Sequence, residues 1–423
     1  MKGLHTLAAT ALLFPLFTTS AFAADTIAKL GASGPDTGIN QQFGPSDINS
    51  RGEIVGTLLQ SDGLIRAYRY RGGKRTLLPT PDEQNSEASS INTFGMISGS
   101  LTNAATGQSQ PSGWNAKNES IAITIPSQFV GRATKVNDYQ LFIGELATID
   151  GNCFLNPATC DTRGFQFGTG IYLPLPTRIE SVNDLTTAGL MIGSTSRGGI
   201  ERAMALLPGE APFELPGLGN ANYSVATAVN AAGQIVGNVA SADSQLQPFL
   251  WDNGVARVLG TLSTGYAIAN DINENKVVVG DSELTPSGTH QAFIWTESAG
   301  IRNLNSFLPA YSPWVLETAK AINKRGEIVG RGTKYGVQSD YVLRLVYSKM
   351  TPDSQTKAKL KNTRGVVSRS PLRFKAALKN SAEEPITEAQ LHLERSLDGG
   401  IVWRVIDTLE TDEDGQTEFT IRP

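Results

Sequence analysis

Segment 229–237 reads Val-Asn-Ala-Ala-Gly-Gln-Ile-Val-Gly, and variants of it recur along this 423-residue chain. Segments 48–56 and 322–330 keep the same order: an apolar residue, Asn, two turn residues, Gly, a polar residue, two apolar residues and Gly. Asn at the first position of a type I turn caps the backbone with its side chain, and Gly suits the fourth position. Each copy therefore predicts two short antiparallel strands joined by a tight turn.

The copies form a series of nearly constant spacing. Their asparagines are Asn49, Asn92, Asn137, Asn183, Asn230, Asn273 and Asn323, separated by 43, 45, 46, 47, 43 and 50 residues. Gln140 and Lys276 replace the turn Gly in two copies, and the copy aligned on Asn183 has three extra residues. We expect these three turns to differ in shape from the others. The second Gly of each copy lies within a strand, which indicates a close backbone approach or a bulge.

A third and a fourth strand follow each hairpin. Segment 292–295 reads Ala-Phe-Ile-Trp and segment 67–70 reads Ala-Tyr-Arg-Tyr, an alternation that suits a strand. After a polar turn, a further short apolar segment such as 255–262 supplies the fourth strand. Four short strands in about 45 residues is the size of a propeller blade.

The two ends of the repeat region complement each other. The seventh unit lacks a fourth strand, whereas segment 26–31 precedes the first hairpin and matches the fourth-strand pattern of Val258-Leu259-Gly260. Closing a ring removes the open sheet edge that would otherwise aggregate. We therefore predict an all-β fold: a seven-bladed β-propeller over residues 24–348, closed by the N-terminal strand. Six or eight blades, or a β-solenoid, are the alternatives.

The sixth unit contains a recognisable motif. Segment 290–295, His-Gln-Ala-Phe-Ile-Trp, with its flanking Ile272-Asn273 and Leu259–Leu262, resembles the bacterial extracellular repeats named HAF after their His-Ala-Phe motif. The resemblance covers roughly residues 26–347 and is strongest in the fifth and sixth units, although only the sixth has the His. It implies a secreted bacterial protein and says little about activity.

The sequences outside the repeats predict a leader and a second domain. Residues 1–23 combine Lys2, an apolar stretch and a small-x-small site at Ala21–Ala23, the pattern of a signal peptide, so we expect a periplasmic or extracellular protein. No later stretch is apolar enough for a transmembrane segment. Residues 349–423 alternate as short strands and fit a small immunoglobulin-like β-sandwich.

The cysteine content agrees with secretion. Cys153 and Cys160 are the only two cysteines, and an oxidising compartment would join them in a structural disulfide. A redox-active pair would more often read C-x-x-C.

Charge and catalytic motifs restrict the function. The net charge of −4 excludes the strongly basic footprint of a nucleic-acid protein. After the predicted leader, the histidines are His290 and His392, in different predicted domains, which argues against a Ser-His-Asp triad or a His-rich metal site. We predict no metal and no cofactor. Segment 412–415, Asp-Glu-Asp-Gly, could hold Ca²⁺, but a solvated hairpin turn is the favoured interpretation.

Function is expected where the copies differ, in loops on one face. Six aromatic residues in the connections that lead into the hairpins could stack on sugar rings or contact a protein: Phe43, Phe129, Tyr223, Tyr266, Tyr311 and Trp314. Tyr311 and Trp314, in an insertion, are the strongest candidates. Packing between blades is the alternative, and it is favoured for Tyr223 and Tyr266.

A second candidate site lies two residues before the repeated Asn. Asp47, Lys135 and Asp271 occupy this innermost-strand position and could meet near a central channel. They would form a polar or metal site there, or a solvated channel lining, and the lining is favoured.

These observations support a working hypothesis. We expect a secreted, monomeric, non-enzymatic protein that holds an extracellular glycan or an envelope protein on its propeller. A polysaccharide-cleaving enzyme, either a lyase or a glycoside hydrolase with a carboxylate or Tyr site, is the alternative, since propellers host many activities. A self-associating structural envelope protein is the third possibility.

Overall fold

The computed structural model describes most of the chain and divides it into two units. One unit is Thr26–Arg344 and the other contains Leu345–Pro423. The described residues are 21–31, 43–149, 162–176, 178–197, 199–218, 221–240, 245–263, 265–285, 288–308, 312–348, 372–377, 390–396, 403–410, 412–414 and 416–421.

Seven four-stranded sheets form the repeat region, and they are numbered here as blades one to seven in chain order. The first three are Gly44–Ile48, Ile54–Leu59, Ile65–Arg71 and Lys74–Leu77; Gln84–Ile91, Ile97–Asn103, Ser109–Trp114 and Ser120–Ala122; and Phe129–Val136, Phe142–Thr148, Thr162–Gly168 and Ile171–Pro174. The next three are Ser181–Leu185, Met191–Arg197, Ile200–Leu206 and Phe213–Glu214; Tyr223–Val229, Ile235–Ala240, Gln247–Asp252 and Val255–Val258; and Ala267–Ile272, Val278–Thr285, Thr289–Thr296 and Gly300–Asn303.

Blade seven differs in its connectivity. Trp314–Ile322, Glu327–Lys334 and Val337–Ser348 follow chain order, and Ala21–Gly31 lies beside Val337–Ser348 in the same sheet. A short 3₁₀ helix, Leu304–Phe307, precedes this blade. The all-β, seven-bladed propeller that the repeats predicted is therefore confirmed.

The turn between the first two strands has one shape throughout. In blade one, Asn49 Oδ1 accepts hydrogen bonds from the backbone N–H groups of Arg51 and Glu53, both at 3.0 Å, and Gly52 has φ of 77°. Gln140 and Lys276 adopt the same left-handed conformation, with φ of 63° and 59°. The expectation that their turns differ in shape was wrong, because a non-glycine residue can adopt this conformation at a cost of about 1–2 kcal/mol.

The fourth copy is centred on Thr186, not on Asn183. Thr186 Oγ1 accepts a hydrogen bond from the backbone N–H of Leu190 at 3.2 Å, and Gly189 has φ of 91°, as at the other turns. Gly193 then occupies the position of the second Gly. The fourth copy therefore has no extra residues, and the alignment on Asn183 was wrong.

Each innermost strand has a β-bulge, and the second Gly lies against that strand. In blade six, the register shifts between Ala269 and Asp271. A Cβ on Gly280 would lie 2.0 Å from the carbonyl oxygen of Ile268, and Phe293 of the third strand lies directly opposite this glycine. The close backbone approach that the second Gly predicted is confirmed, and the aromatic residue of the third strand covers the space.

The core lies between neighbouring blades. For example, Val236 and Leu250 of blade five pack in one buried cluster with Ile272, Val278 and Phe293 of blade six. Because apolar residues on both faces of a blade are buried in this way, each blade depends on its neighbours.

Beyond Ser348, the described strands form two antiparallel pairs. Leu372–Ala377 pairs with Gln416–Ile421, and Gln390–Ser396 pairs with Trp403–Glu410. The sequence predicted short strands in this region, and the immunoglobulin-like β-sandwich stays a prediction. Asp412 Oδ1 accepts hydrogen bonds from the backbone N–H groups of Asp414 and Gln416, as in a capped hairpin turn.

Among the described residues, no helix has the length and apolar character needed to cross a membrane.

The left-handed turns give a stability prediction. We expect Gln140→Gly to raise the free energy of unfolding by about 0.5–1 kcal/mol, because Gly adopts a positive φ without strain. Gly233→Ala is the matched reverse variant, since a Cβ there has room and meets only Leu190 at 3.8 Å. It should lose about 1 kcal/mol. Urea unfolding measures both changes, and a destabilised Gln140→Gly protein would contradict this account of the turn.

Candidate functional site

The propeller has two distinct ends. The innermost strands end at the seven Asn or Thr turns, and we call this end the turn face. The opposite end, where the innermost strands begin, is called the loop face. Because neighbouring strands are antiparallel, the connections between second and third strands also lie on the loop face.

The turn face is held together by a belt of side-chain hydrogen bonds. Each turn Asn donates from Nδ2 to the backbone carbonyl of the equivalent turn residue in the next blade. The six bonds are Asn49 to Asn92, Asn92 to Asn137, Asn137 to Thr186, Asn230 to Asn273, Asn273 to Asn323, and Asn323 to Asn49, at 2.9–3.4 Å. The last bond connects blade seven to blade one. Thr186, which has no amide, interrupts the belt between blades four and five.

A second belt lies two residues before the turn. Asp47 accepts hydrogen bonds from the backbone N–H of Ile48 at 2.7 Å and from that of Ile91, in the next blade, at 3.0 Å. Asp184 and Asp271 repeat the arrangement, and each joins its own blade to the next. Ser90 forms a similar bond with the N–H of Val136 at 3.2 Å.

Lys135 balances these carboxylates. Its Nζ lies 3.6 Å from Asp47 Oδ2 and 3.5 Å from Asp184 Oδ1. Burial opposes the charged form of Lys135, but Asp184, Asp47 and Asp271 outweigh it and raise the pKa of the ammonium group. Burial raises the pKa of Asp271 to about 7, although Lys135 acts in the opposite direction, and burial also raises the pKa of Asp184.

The structure thus brings together the three predicted channel residues Asp47, Lys135 and Asp271, and adds Asp184. The alignment on Asn183 concealed Asp184, because it placed this residue after the turn Asn and not two positions before the turn. Within the described ranges, no group of three His, Cys, Asp or Glu side chains is arranged to hold a metal ion. The carboxylates already accept backbone hydrogen bonds from neighbouring blades, and Lys135 lies between two of them. The arrangement therefore supports a structural role, in which these charged groups hold the blades together.

The channel cluster predicts how stability depends on pH. Asp271 binds its proton more tightly in the folded than in the unfolded chain, so its contribution to stability falls as the pH rises from about 4 to 7. Asp271→Ser, which matches Ser90 in blade two, should remove about 2–4 kcal/mol of this dependence. Urea unfolding at several pH values tests it, and an unchanged slope would contradict the pKa assignment.

Several predicted aromatic residues of the loop face are buried. Trp314 is 4% exposed and packs edge-on against Tyr341, with ring centroids 6.2 Å apart. Phe129 is also 4% exposed, and Arg163 lies over its ring at 4.6 Å. Phe43 is buried as well. The expectation that these side chains form an accessible rim was wrong, because neighbouring strands and blades cover them.

Other predicted residues have different positions. Tyr223 is 39% exposed at the start of its strand. Burial and the nearby Glu201 raise the pKa of its hydroxyl. Tyr311, Cys153 and Cys160 lie outside the described residues, so their predicted roles stay predictions.

Tyr266 belongs to a hydrogen-bond chain that the sequence did not predict. Its hydroxyl lies 2.9 Å from His290 Nε2, and His290 Nδ1 lies 3.1 Å from Asp281 Oδ2. The hydrogen bond with Asp281 raises the pKa of His290, whereas burial acts in the opposite direction. Asp281 is fully buried. From the sequence, His290 was recognised only as part of a repeat motif, because its partners Tyr266 and Asp281 lie in other segments of the chain.

Blade seven presents an exposed aromatic residue that the sequence analysis missed. Tyr335 is 80% exposed at the tip of a two-residue hairpin loop, with φ of 53°, and Gly336 follows with φ of 74°. Such loops favour Asn-Gly, so a bulky Tyr at the first position is strained. Val315 and Val337, at the same end of the blade, are 44% and 60% exposed. The sequence did contain a signal for this residue, because Tyr335-Gly336 stands where a hairpin loop would usually have Asn-Gly.

Comparisons with known proteins assign this chain to no family. No family profile matches the chain, and no curated protein matches it. The propeller domain of the Trilobed protease from Pyrococcus furiosus is 10% identical, with a TM-score of 0.46, over 62% of this chain and 82% of that one. TolB from Acinetobacter baumannii is 14% identical, with a TM-score of 0.41, over 67% of this chain and 68% of that one. A puromycin hydrolase is 11% identical, with a TM-score of 0.49, over 74% of this chain and 53% of that one. The match therefore spans about half of that enzyme.

Proposed function

We propose that this protein is a secreted binding protein that holds an extracellular partner on the loop face of its propeller. The observation that carries the proposal is Tyr335, a large aromatic side chain that is exposed in a strained backbone conformation. Such strain costs about 1–3 kcal/mol and concentrates at functional positions. Val315 and Val337 extend the apolar surface, and we call these three residues the blade-seven patch.

The chemistry of the patch fits two kinds of partner. A Tyr ring stacks on the apolar face of a sugar and is also enriched at protein interfaces. The two exposed valines add apolar area that suits an envelope protein more than a glycan. We therefore place an envelope protein first and an extracellular glycan second.

The polysaccharide-cleaving alternative is not favoured. The carboxylates that meet in the channel, Asp47, Asp184 and Asp271, all accept hydrogen bonds from backbone N–H groups. Lys135 forms ion pairs with two of them, Asp47 and Asp184. They act between blades and not on a substrate.

The same proposal includes export of the protein and a disulfide bond. The leader pattern at 1–23 favours export to the periplasm or beyond, and a Cys153–Cys160 disulfide would form there. The tail would act as an immunoglobulin-like spacer or docking domain.

The blade-seven patch can be tested by a variant that separates binding from stability. Tyr335→Asn supplies the residue that the loop prefers, so it should raise the free energy of unfolding by about 1 kcal/mol. The same variant should lose binding to envelope protein extracts and to a panel of cell-surface polysaccharides. Tyr139→Asn is the control, because Tyr139 is 77% exposed on the turn face. If the wild-type protein and Tyr335→Asn bind the same partner equally well, the blade-seven patch is not the binding site.

We also propose that the N-terminal strand closes the ring. Support comes from its place beside Val337–Ser348, from buried Leu30, and from the 2.8 Å hydrogen bond that Arg75 of blade one donates to the carbonyl of Leu30.

This closure predicts a contrast between adjacent residues. Leu30→Asp would bury a carboxylate and should lower the free energy of unfolding by about 3 kcal/mol. Lys29→Asp, at an exposed position of the same strand, should change it by less than about 0.5 kcal/mol. Similar stability of the two variants in urea unfolding would argue against closure by this strand.

A further inference from the structure

The loop face has an open depression between blades five and six. It is lined by Gln245 and Leu246 of blade five and by Tyr266 and Glu283 of blade six. Two backbone hydrogen bonds fix its base: Ala267 N–H donates to Leu246 O at 3.0 Å, and Glu283 N–H donates to Tyr266 O at 2.8 Å. The depression therefore presents a rigid aromatic ring, an apolar side chain, an amide and a carboxylate.

The hydrogen-bond chain behind Tyr266 orients its hydroxyl group. Buried Asp281 accepts from Asn270 Nδ2 at 3.2 Å and lies 3.1 Å from His290 Nδ1. A carboxylate only accepts, so neutral His290 carries its proton on Nδ1 and accepts at Nε2. The Tyr266 hydroxyl must then donate to His290, which leaves the oxygen lone pairs available to the depression.

Glu283 is a second acceptor at the same place. It is half-buried and lies directly opposite His290 in the strand pairing. Within the part of the chain that the structure describes, its carboxylate forms no ion pair and no side-chain hydrogen bond. A ligand that supplies a cation would find in Glu283 a charged hydrogen-bond acceptor.

We propose that this depression binds a primary ammonium group, such as a lysine side chain of a protein partner, between Glu283 and the Tyr266 hydroxyl. An ammonium group only donates hydrogen bonds, and both of these groups accept them. The Tyr266 ring and Leu246 offer apolar surface to the methylene stem of the ligand.

Acid should weaken this site. When His290 is protonated, its Nε2–H donates to the Tyr266 oxygen. The Tyr266 hydroxyl then directs its own proton toward the ligand instead of accepting from it, and the imidazolium repels the ligand's positive charge. The titratable and charged groups that act on His290 or its partner Asp281 are Tyr266, Asp281, Glu283, Glu317, Lys320 and Tyr341, and Arg331 acts in turn on Lys320. The acidic groups among them raise the pKa of His290.

The chain is suited to a direct measurement, because His5, His290 and His392 are its only histidines. The probes are Nα-acetyl-lysine amide and its Nε-acetylated form, added to ¹³C-labelled protein, with the His290 imidazole resonance followed by NMR. At about pH 8 the charged probe should shift this resonance, and the acetylated probe should bind at least about ten-fold more weakly. At about pH 5.5 the charged probe should also bind about ten-fold more weakly.

Variants separate the contributions. Glu283→Gln should weaken the charged probe about ten-fold, whereas Glu210→Gln, the same change at an exposed turn-face residue, should leave it unchanged. His290→Gln, followed through the probe's own resonances, should bind with a flatter pH dependence. Equal binding of the two probes, or no shift at His290 about pH 8, would overturn the proposal.

The ammonium site and the blade-seven patch can fail independently. Tyr335→Asn should leave probe binding unchanged, since Tyr335 belongs to blade seven, and Glu283→Gln should leave the strained hairpin unchanged. Loss of probe binding in Tyr335→Asn would contradict the separation of the two sites.

Discussion

The side-chain amide of the turn Asn is the interaction on which this propeller depends. Its Oδ1 satisfies backbone N–H groups of its own turn, and its Nδ2 donates to the next blade, so one residue shapes a hairpin and joins it to a neighbour. Because the belt runs from Asn323 back to Asn49, side chains join blade seven to blade one at the turn face.

The channel shows how the same scaffold uses charge. Asp47, Asp184 and Asp271 each staple two blades, and Lys135 offsets their repulsion. A buried cluster of this kind is costly to break, since removing one member leaves the others uncompensated. The polar residues of this cluster thus support the ring, whereas the binding sites that we propose lie at the loop face.

Much of the fold could be predicted from the sequence, because turn chemistry and strand alternation repeat with a fixed period. The error at Asn183 has a physical origin: a Thr hydroxyl can cap the same turn, so the position tolerates a residue that a search for Asn overlooks. The candidate site was harder to predict. Burial of Trp314 depends on Tyr341 in another strand, and the pairing of Tyr266 with His290 depends on strand register, so neither is a local property of the sequence.

Thr186 also gives the molecule a mechanical asymmetry. A ring of identical junctions would share strain evenly, but here blade four lacks the amide that would reach the turn of blade five. That junction is held near the axis by Asp184 and by the Asn183 bond to Ala226. Blades four and five are therefore joined without the turn-face belt, and their polar contacts lie deeper in the blades, where the N–H of Ala203 also donates to Ser224 Oγ at 3.0 Å.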